Sequence, residues 1–207
     1  MGGAVLMELA IHHPERIRSL VLISSFAYTD NHLNRTLKRL LKTLTSGYDA
    51  FFDACLKLTY TPKFVEKNRK EFRKIKTINS KTASIQVLED TINVCLNVDL
   101  LDDLNNIETP TLIIAGAKDV FTPPRHGIAI KNAVQSGKFI QINGVGHNLP
   151  VEKPEDTYLQ IRDFLKIVWK WVTVIPGKYP GFKDLRTKKI NEFNTRYFWF
   201  KKALISE

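Results

Sequence analysis

The sequence predicts an α/β fold with a parallel sheet, because three short apolar runs alternate with segments of helical periodicity. The runs are residues 19–24, 111–115 and 139–142. Each is short, contains β-branched residues and lies next to turn-forming residues, which is typical of strands buried on both faces. Strands that alternate with helices indicate parallel pairing through helical crossovers. A chain of 207 residues, 43% of them hydrophobic, can form a globular core and is not a disordered or collagen-like chain.

The first half of the chain predicts a helix, a strand and a long helical insertion. Apolar residues recur at helical spacing in residues 1–13, and Pro14 follows the end of this helix. Residues 19–24 are the first strand. Residues 27–104 then carry amphipathic stripes and predict a helical, cap-like insertion before the second strand. The stripes consist of Leu33, Leu37, Leu40, Leu41 and Leu44, and of Ile85, Leu88, Ile92 and Cys95.

The second half predicts two more strands and a helix. Gly116 follows the strand at 111–115, Gly144 follows the strand at 139–142, and residues 155–169 form an amphipathic helix. The expected organisation is therefore a core with an insertion and an extra C-terminal tail. Its four parts are residues 1–26 (start of the core), 27–104 (insertion), 105–169 (rest of the core) and 170–207 (basic, aromatic tail).

The net charge of +10 is confined to two segments. Residues 35–81 carry +9 and residues 170–207 carry +6, whereas the remaining segments together are acidic. Charge spread in this way is typical of solvated helix faces and gives little support for nucleic-acid recognition. We expect no specific nucleic-acid partner, while contact of the basic segments with a membrane surface stays open.

Two polar side chains follow neighbouring strands of the predicted sheet. Asp119 comes shortly after the strand at 111–115, and His147 lies in a glycine-containing loop after the strand at 139–142. Because parallel strands place their carboxyl ends at one sheet edge, we expect the two side chains to lie close together. An aspartate next to a histidine is two-thirds of a nucleophile–base–acid triad. The alternative for each residue is structural, with Asp119 as a turn or helix cap and His147 as a loop residue.

The other histidines and the cysteines do not suggest a second site. His12 and His13 lie at the predicted end of a helix, and His32 and His126 are expected at the surface. Their spacing does not resemble a metal site, and no phosphate-binding glycine motif is present, so we expect no cofactor and no metal. The only cysteines, Cys55 and Cys95, and the absence of a secretory signal in the sequence suggest reduced thiols and a cytoplasmic location.

Three stretches of the sequence resemble the α/β-hydrolase family, over roughly residues 1–168. The stretch 107–119 is similar to the strand and loop that deliver the triad acid. Residues 144–147, with Pro154-Glu155 and the helix after them, are similar to the loop of the triad histidine. The helix after Met1 and the stretch 13–17 are similar to the segment after the nucleophile elbow. The resemblance implies Asp119 as the acid and His147 as the base.

The resemblance also implies that the nucleophile is not among these residues. In the elbow pattern Gly-x-Ser-x-Gly, Met1 is the residue after the serine, and its backbone N–H is an oxyanion donor only in an intact parent enzyme. The chain is therefore expected to be the C-terminal part of an α/β-hydrolase, with an incomplete sheet. Ser24 and Ser25 are the only substitute hydroxyls at that sheet edge, and we expect them to line the site. An aspartate nucleophile, as in dehalogenases, stays open.

Two functions follow from these observations. In the first, the chain is a portion of a serine hydrolase that acts on small ester or related carbonyl substrates. It is inactive without its nucleophile, and a missing N-terminal half is its partner. In the second, the chain is a non-catalytic remnant or an interaction protein that uses its basic insertion and its tail at 170–207. That tail combines lysine and arginine with several aromatic residues.

Overall fold

A computed structural model describes the backbone of residues 1–174 and the side chains of residues 1–168. The strands are β1 (Leu20–Ile23), β2 (Thr111–Gly116) and β3 (Gly137–Ile142). The helices are α1 (Gly2–His12), α2 (Asn31–Leu44), α3 (Tyr48–Thr59), α4 (Pro62–Lys67), α5 (Arg69–Asn79), α6 (Ile85–Leu96), α7 (Pro124–Ala133), α8 (Leu149–Glu152) and α9 (Pro154–Val174). The predicted tail at 170–207 lies outside the described residues, apart from the backbone of 170–174.

The described strands form one parallel sheet in the order β1-β2-β3. Leu20 is in register with Thr111, and Thr111 is in register with Gly137. The α/β class and the three predicted strands are confirmed, although β3 begins earlier than predicted. All six residues of β2 are buried, which agrees with a central strand covered on both faces.

The first hydrophobic core joins the sheet to α1 and α7. Ala4, Met7 and Ala10 are spaced three residues apart, so they form one face of α1 and are buried. They belong to the same buried cluster as Leu22 of β1 and Ile113 of β2. This packing holds the carboxyl ends of the strands in a fixed position relative to α1.

The second core lies within the helices between β1 and β2. Leu33, Leu37, Leu40 and Leu44 form the predicted stripe of α2, and all four are buried in one cluster with Ile92 of α6. The helix begins at a well-formed cap, since the carboxylate of its N-cap residue accepts a hydrogen bond from Leu33 N at 2.7 Å. Residues 27–104 thus contain helices that pack on each other and form a core of their own.

The two ends of this helical segment meet beside the sheet. Tyr28 and Asp99 form an antiparallel bridge, and Thr29 Oγ1 donates to the carbonyl of Cys95 at 2.6 Å. The polypeptide therefore leaves the core at Tyr28 and returns to it at Asp99, next to the point where it left. None of the helices in the described part of the chain combines the length and apolar character that a membrane-spanning helix requires.

One edge of β1 carries no strand among the described residues. Leu20 N donates to Pro110 O and Ser24 N donates to Ile114 O, both toward β2. In a parallel strand successive residues turn their backbone groups to opposite sides, so Val21 and Ile23 present theirs to the other edge. A row of unpaired backbone groups is a template for pairing with another chain.

We expect the isolated chain to self-associate through this edge, measured as a concentration-dependent elution volume in gel filtration. Val21→Pro removes an edge donor and takes no hydrogen bond from the β1–β2 ladder, so it should reduce the association. The matched variant Leu22→Pro breaks the ladder itself and should instead lower the melting temperature. A wild-type chain that stays monomeric over a hundredfold range of concentration contradicts the expectation.

Candidate active site

Asp119 is placed at the carboxyl end of β2 by a turn that its own side chain closes. Its Oδ1 accepts hydrogen bonds from the backbone N–H groups of Phe121 and Thr122, both at 2.9 Å. The residue is only 3% exposed. A buried carboxylate with two amide donors is held in one orientation, and its second oxygen is left to face the adjacent loop.

His147 lies in the loop after β3, residues 143–148, which we call the histidine loop. Its second residue, Gly144, has φ +77°, a left-handed conformation that favours glycine. The Nδ1 atom of His147 lies 2.9 Å from Asp119 Oδ2, and the ring of Phe121 packs 5.1 Å away. Nε2 receives no hydrogen bond from the described residues, and the histidine side chain is 24% exposed. The ring is therefore oriented through one nitrogen, while the other is available for a reacting group.

A buried threonine completes the arrangement and was missed in the sequence. Thr122 Oγ1 lies 2.9 Å from Asp119 Oδ2, 3.0 Å from His147 Nδ1 and 3.0 Å from Ser24 O. Its one hydroxyl proton can be donated either to Asp119 Oδ2 or to Ser24 O, and its lone pairs can accept from His147 Nδ1–H, so the hydroxyl lies between Asp119, His147 and the end of β1. Its spacing three residues after Asp119 is the only sequence signal, and that spacing is equally typical of an ordinary turn.

Backbone contact between the ends of β2 and β3 brings the two loops together. A Cβ atom at Gly116 would overlap the carbonyl oxygens of Val145 and Gly146. Lys118 N donates to the same Val145 carbonyl at 2.9 Å. The absence of a side chain at Gly116 is thus what allows the histidine loop to lie against the segment that carries Asp119.

Ser24 and Ser25 lie beside the site, but both hydroxyls bond to backbone. Ser24, at φ +48°, donates its Oγ proton to the carbonyl of His147 at 2.7 Å. Ser25 Oγ donates to Ile23 O at 3.2 Å and fills the space next to Gly3. Neither hydroxyl is bonded to the imidazole. The contact with Gly3 also places the start of α1, and with it Met1, next to the end of β1.

The prediction that His126 lies at the surface is wrong, because the ring is completely buried. It packs against Tyr28 and Phe26, and neither ring nitrogen has a hydrogen bond from the described residues. Nε2 lies 3.5 Å from Asp30 Oδ2, a carboxylate that also binds Arg125. The pattern of the short helix α7 does not show this burial, since it depends on the insertion that covers the helix.

Burial lowers the pKa of His126, and the nearby Asp30 carboxylate offsets this only in part. Asp30 itself has a lowered pKa: burial raises it, but hydrogen bonds from the Leu33 amide and Arg125 outweigh that effect. The other charges that act on His126 are Arg125 and His32, which also lower its pKa, and Asp119, which raises it. The folded protein therefore keeps this ring neutral at pH values where an unfolded chain binds a proton.

We expect the free energy of unfolding to fall as the pH drops below about 6.5, with a slope of up to about 1.4 kcal/mol per pH unit from His126 alone. The sign follows because only the unfolded state gains the proton. His126→Phe should flatten the curve between pH 7 and pH 5 in urea titrations. The control is His12→Phe at an exposed position. Parallel curves for wild type and His126→Phe contradict the prediction.

Most of the chain matches the profile of a known protein family. The profile of the serine aminopeptidase S33 family matches residues 1–154. The chain belongs to this family of α/β-hydrolases. The match contains both the loop of Asp119 and the histidine loop, and it confirms the resemblance seen in the sequence.

Two relatives are named as a deacetylase and an esterase. The chain is 24% identical over 168 residues to a pyrrolizixenacetamide deacetylase of Xenorhabdus hominickii, covering 80% of this chain and 62% of the relative. It is 25% identical over 175 residues to a pimeloyl-[acyl-carrier protein] methyl ester esterase of Neisseria meningitidis, covering 80% of this chain and 66% of that enzyme. The chain thus spans about three-fifths of the length of the relatives it matches.

Solved structures give the same fold. An enol-lactonase from Burkholderia xenovorans superposes with a TM-score of 0.72 at 22% identity, covering 80% of this chain and 63% of that one. A hydrolase from Pseudomonas aeruginosa superposes with a TM-score of 0.70 at 25% identity, covering 79% of this chain and 61% of that one. In the part of the chain that the structure describes, no group of three or more His, Cys, Asp or Glu residues could hold a metal.

Proposed function

We propose that the chain supplies the acid and the base of a Ser-His-Asp hydrolase for small esters or related carbonyl substrates. The observation that carries the proposal is the 2.9 Å contact between Asp119 Oδ2 and His147 Nδ1, in a chain of the α/β-hydrolase family. Asp119 is buried and held by two backbone donors, so it can orient the imidazole without changing position. This is the geometry that general-base activation of a hydroxyl requires.

In the proposed mechanism each group has a defined role. His147 Nε2 accepts the proton of a serine hydroxyl as the oxygen attacks the substrate carbonyl, and later returns it to the leaving group. Asp119 accepts a hydrogen bond from Nδ1–H and stabilises the imidazolium that forms. The backbone N–H of Met1, the N-cap residue of α1, is proposed as an oxyanion donor in the intact enzyme.

The serine is proposed to come from polypeptide outside these 207 residues, so that the chain alone is inactive. Two observations support this. The hydroxyls of Ser24 and Ser25, the candidates within the sequence, are bonded to backbone carbonyls. Apolar side chains at the start of α1 are exposed, with Met1 at 48% and Val5 at 58%, and they line an open groove of about 640 Å³ with Val94 and Val98. A preceding segment that carries the nucleophile would cover such a surface.

The substrate class is proposed from the chemistry shared by the relatives. The names of two of them describe a deacetylase and a methyl ester esterase, reactions that both break the bond between an acyl carbonyl carbon and a leaving group. The same pair of His147 and Asp119 serves either reaction, because the proton moves from the nucleophile to an oxygen or a nitrogen leaving group.

The test restores a nucleophile to the chain. An N-terminal segment of the Neisseria esterase is joined to Met1, with Gly-x-Ser placed directly before Met1. We expect the chimera to hydrolyse p-nitrophenyl acetate and to be labelled by a fluorophosphonate probe, whereas the 207-residue chain is not labelled. His147→Ala and Asp119→Asn should lower the rate by on the order of 10⁴.

The matched control for these variants is His13→Ala, at an exposed histidine away from the sheet edge. It should leave the rate of the chimera unchanged. A chimera that melts cooperatively but is not labelled, or is labelled equally after His147→Ala, overturns the proposed function.

A second function, binding of polyanions, is favoured by exposed cations on and beside α5. Lys67, Lys70 and Arg73 are exposed, and the segment 35–81 carries +9. If these residues form a binding surface, the chain should bind heparin with an affinity that falls steeply between 50 and 200 mM salt. The triple variant Lys67→Ala/Lys70→Ala/Arg73→Ala should weaken binding about tenfold or more. Equal binding by wild type and variant excludes this surface.

A further inference from the structure

The turn between α3 and α4, residues 59–61, lies directly against the histidine loop, and we call it the insertion turn. Asn148 N donates to the carbonyl of Thr59 at 3.0 Å. The side-chain amide of Asn148 donates to the hydroxyl of Tyr60 at 2.6 Å. The residue immediately after His147 is thus held by the insertion through both its backbone and its side chain.

The residue immediately before His147 is held by a carboxylate that also holds the insertion turn. Glu152 Oε1 accepts from Gly146 N at 2.9 Å. Both carboxylate oxygens accept from Thr61 N at 3.2 Å, and Oε2 also accepts from the Thr61 hydroxyl. Hydrogen bonds to a carboxylate are stronger than those between neutral groups, so Glu152 is the strongest connection between the two segments.

The two segments approach closely at Gly146, where a side chain would require Glu152 to shift. A Cβ atom at Gly146 would lie 2.9 Å from Glu152 Oε1 and 3.2 Å from Thr59 O. Real Cβ atoms are rarely found at such distances. Any outward movement of the insertion turn must therefore break these hydrogen bonds or carry the histidine loop with it.

On the insertion side the turn is anchored by aromatic packing. The ring of Tyr60 stacks on Phe64, with centroids 5.5 Å apart, and contacts Phe72 at 5.0 Å. Phe72 is buried in α5. Burial raises the pKa of Tyr60 and the Glu152 charge raises it further, while the hydrogen bond from Asn148 acts in the opposite direction. The phenol is neutral at physiological pH, and the turn is a rigid part of the insertion.

We propose that Glu152 is a positioning residue for His147, which ties the histidine loop to the insertion turn and makes the orientation of the imidazole depend on the position of the insertion. The residues on both sides of His147 are fixed by this network, and the ring between them is fixed by Asp119. The role in catalysis rests on the proposed function. Movement of the insertion when a substrate enters would therefore be transmitted to the base without any contact between substrate and Glu152.

The experiment uses the full 207-residue chain and needs no nucleophile. Glu152→Gln removes the charge and replaces one carboxylate oxygen with an amide NH₂, so one acceptor oxygen remains for Gly146 N, Thr61 N and the Thr61 hydroxyl, and the bonds made by the other oxygen are lost. We expect hydrogen exchange to become at least tenfold faster in peptides covering 144–149 and 59–62, with β2 unchanged. The rate of His147 modification by diethyl pyrocarbonate should change severalfold, while exposed His12 in the same molecule serves as the internal reference.

The matched control is Glu108→Gln, which removes the same charge at an exposed position. It should leave all three readouts unchanged. The proposal is overturned if the Glu152→Gln chain exchanges at the wild-type rate in both peptides. It is also overturned if exchange is faster but His147 reacts at the wild-type rate. If Glu152→Gln unfolds the chain, exchange in β2 also becomes faster, and a second variant, Thr61→Val, is then measured. Thr61→Val removes only the hydroxyl donor and should still accelerate exchange in 144–149. If it has no effect there, the proposal is overturned.

The nucleophile-bearing chimera separates the two proposals. If it is active, Glu152→Gln should lower kcat about tenfold or more and leave KM nearly unchanged, since Glu152 acts on the base and not on substrate binding. If the wild-type chimera is folded but inactive, the proposed function fails, and the positioning role is then decided by exchange and by His147 reactivity alone.

Discussion

The candidate site depends on the backbone contact between the carboxyl ends of β2 and β3. Gly116 leaves room for the carbonyl groups of Val145 and Gly146, and Lys118 N donates to one of them. This contact brings together two loops that are far apart in the sequence. Without it, Asp119 would face solvent and His147 would have no partner for Nδ1. A side chain at Gly116 would therefore separate the acid from the base while leaving each strand intact.

Around this contact the pair is held from three directions. The turn after β2 fixes the carboxylate of Asp119, and the end of β1 contributes the carbonyl of Ser24 to Thr122. The insertion holds Asn148 directly and holds Gly146 through Glu152. Each support comes from a different element of the fold. The insertion, which in sequence looks like an accessory cap, is therefore part of the structure that orients the imidazole.

The sequence predicted the features that depend on the local pattern of residues, which are the strands and the positions of Asp119 and His147. The strands are short apolar runs, and Asp119 and His147 follow two of them, so parallel topology alone was enough to place both at one edge. What it could not show depends on contacts between distant segments. Thr122 looks like a turn residue, Glu152 like a surface glutamate near a helix end, and His126 like a polar residue of a short helix. The partners cited for them lie 91 to 98 positions away in the sequence, and no periodicity reports such contacts.

The network around His147 also explains how the contact between Asp119 and His147 is ordered although no described residue hydrogen-bonds Nε2. The contacts that orient Asp119 and His147 all lie within residues 24–152, so the entropy of ordering these side chains is already lost on folding. When a segment brings a hydroxyl to Nε2, the only further conformational entropy lost is that of the segment itself. Preorganisation of this kind reduces the cost of completing the site, and it is the property on which both electrostatic stabilisation and proton transfer depend.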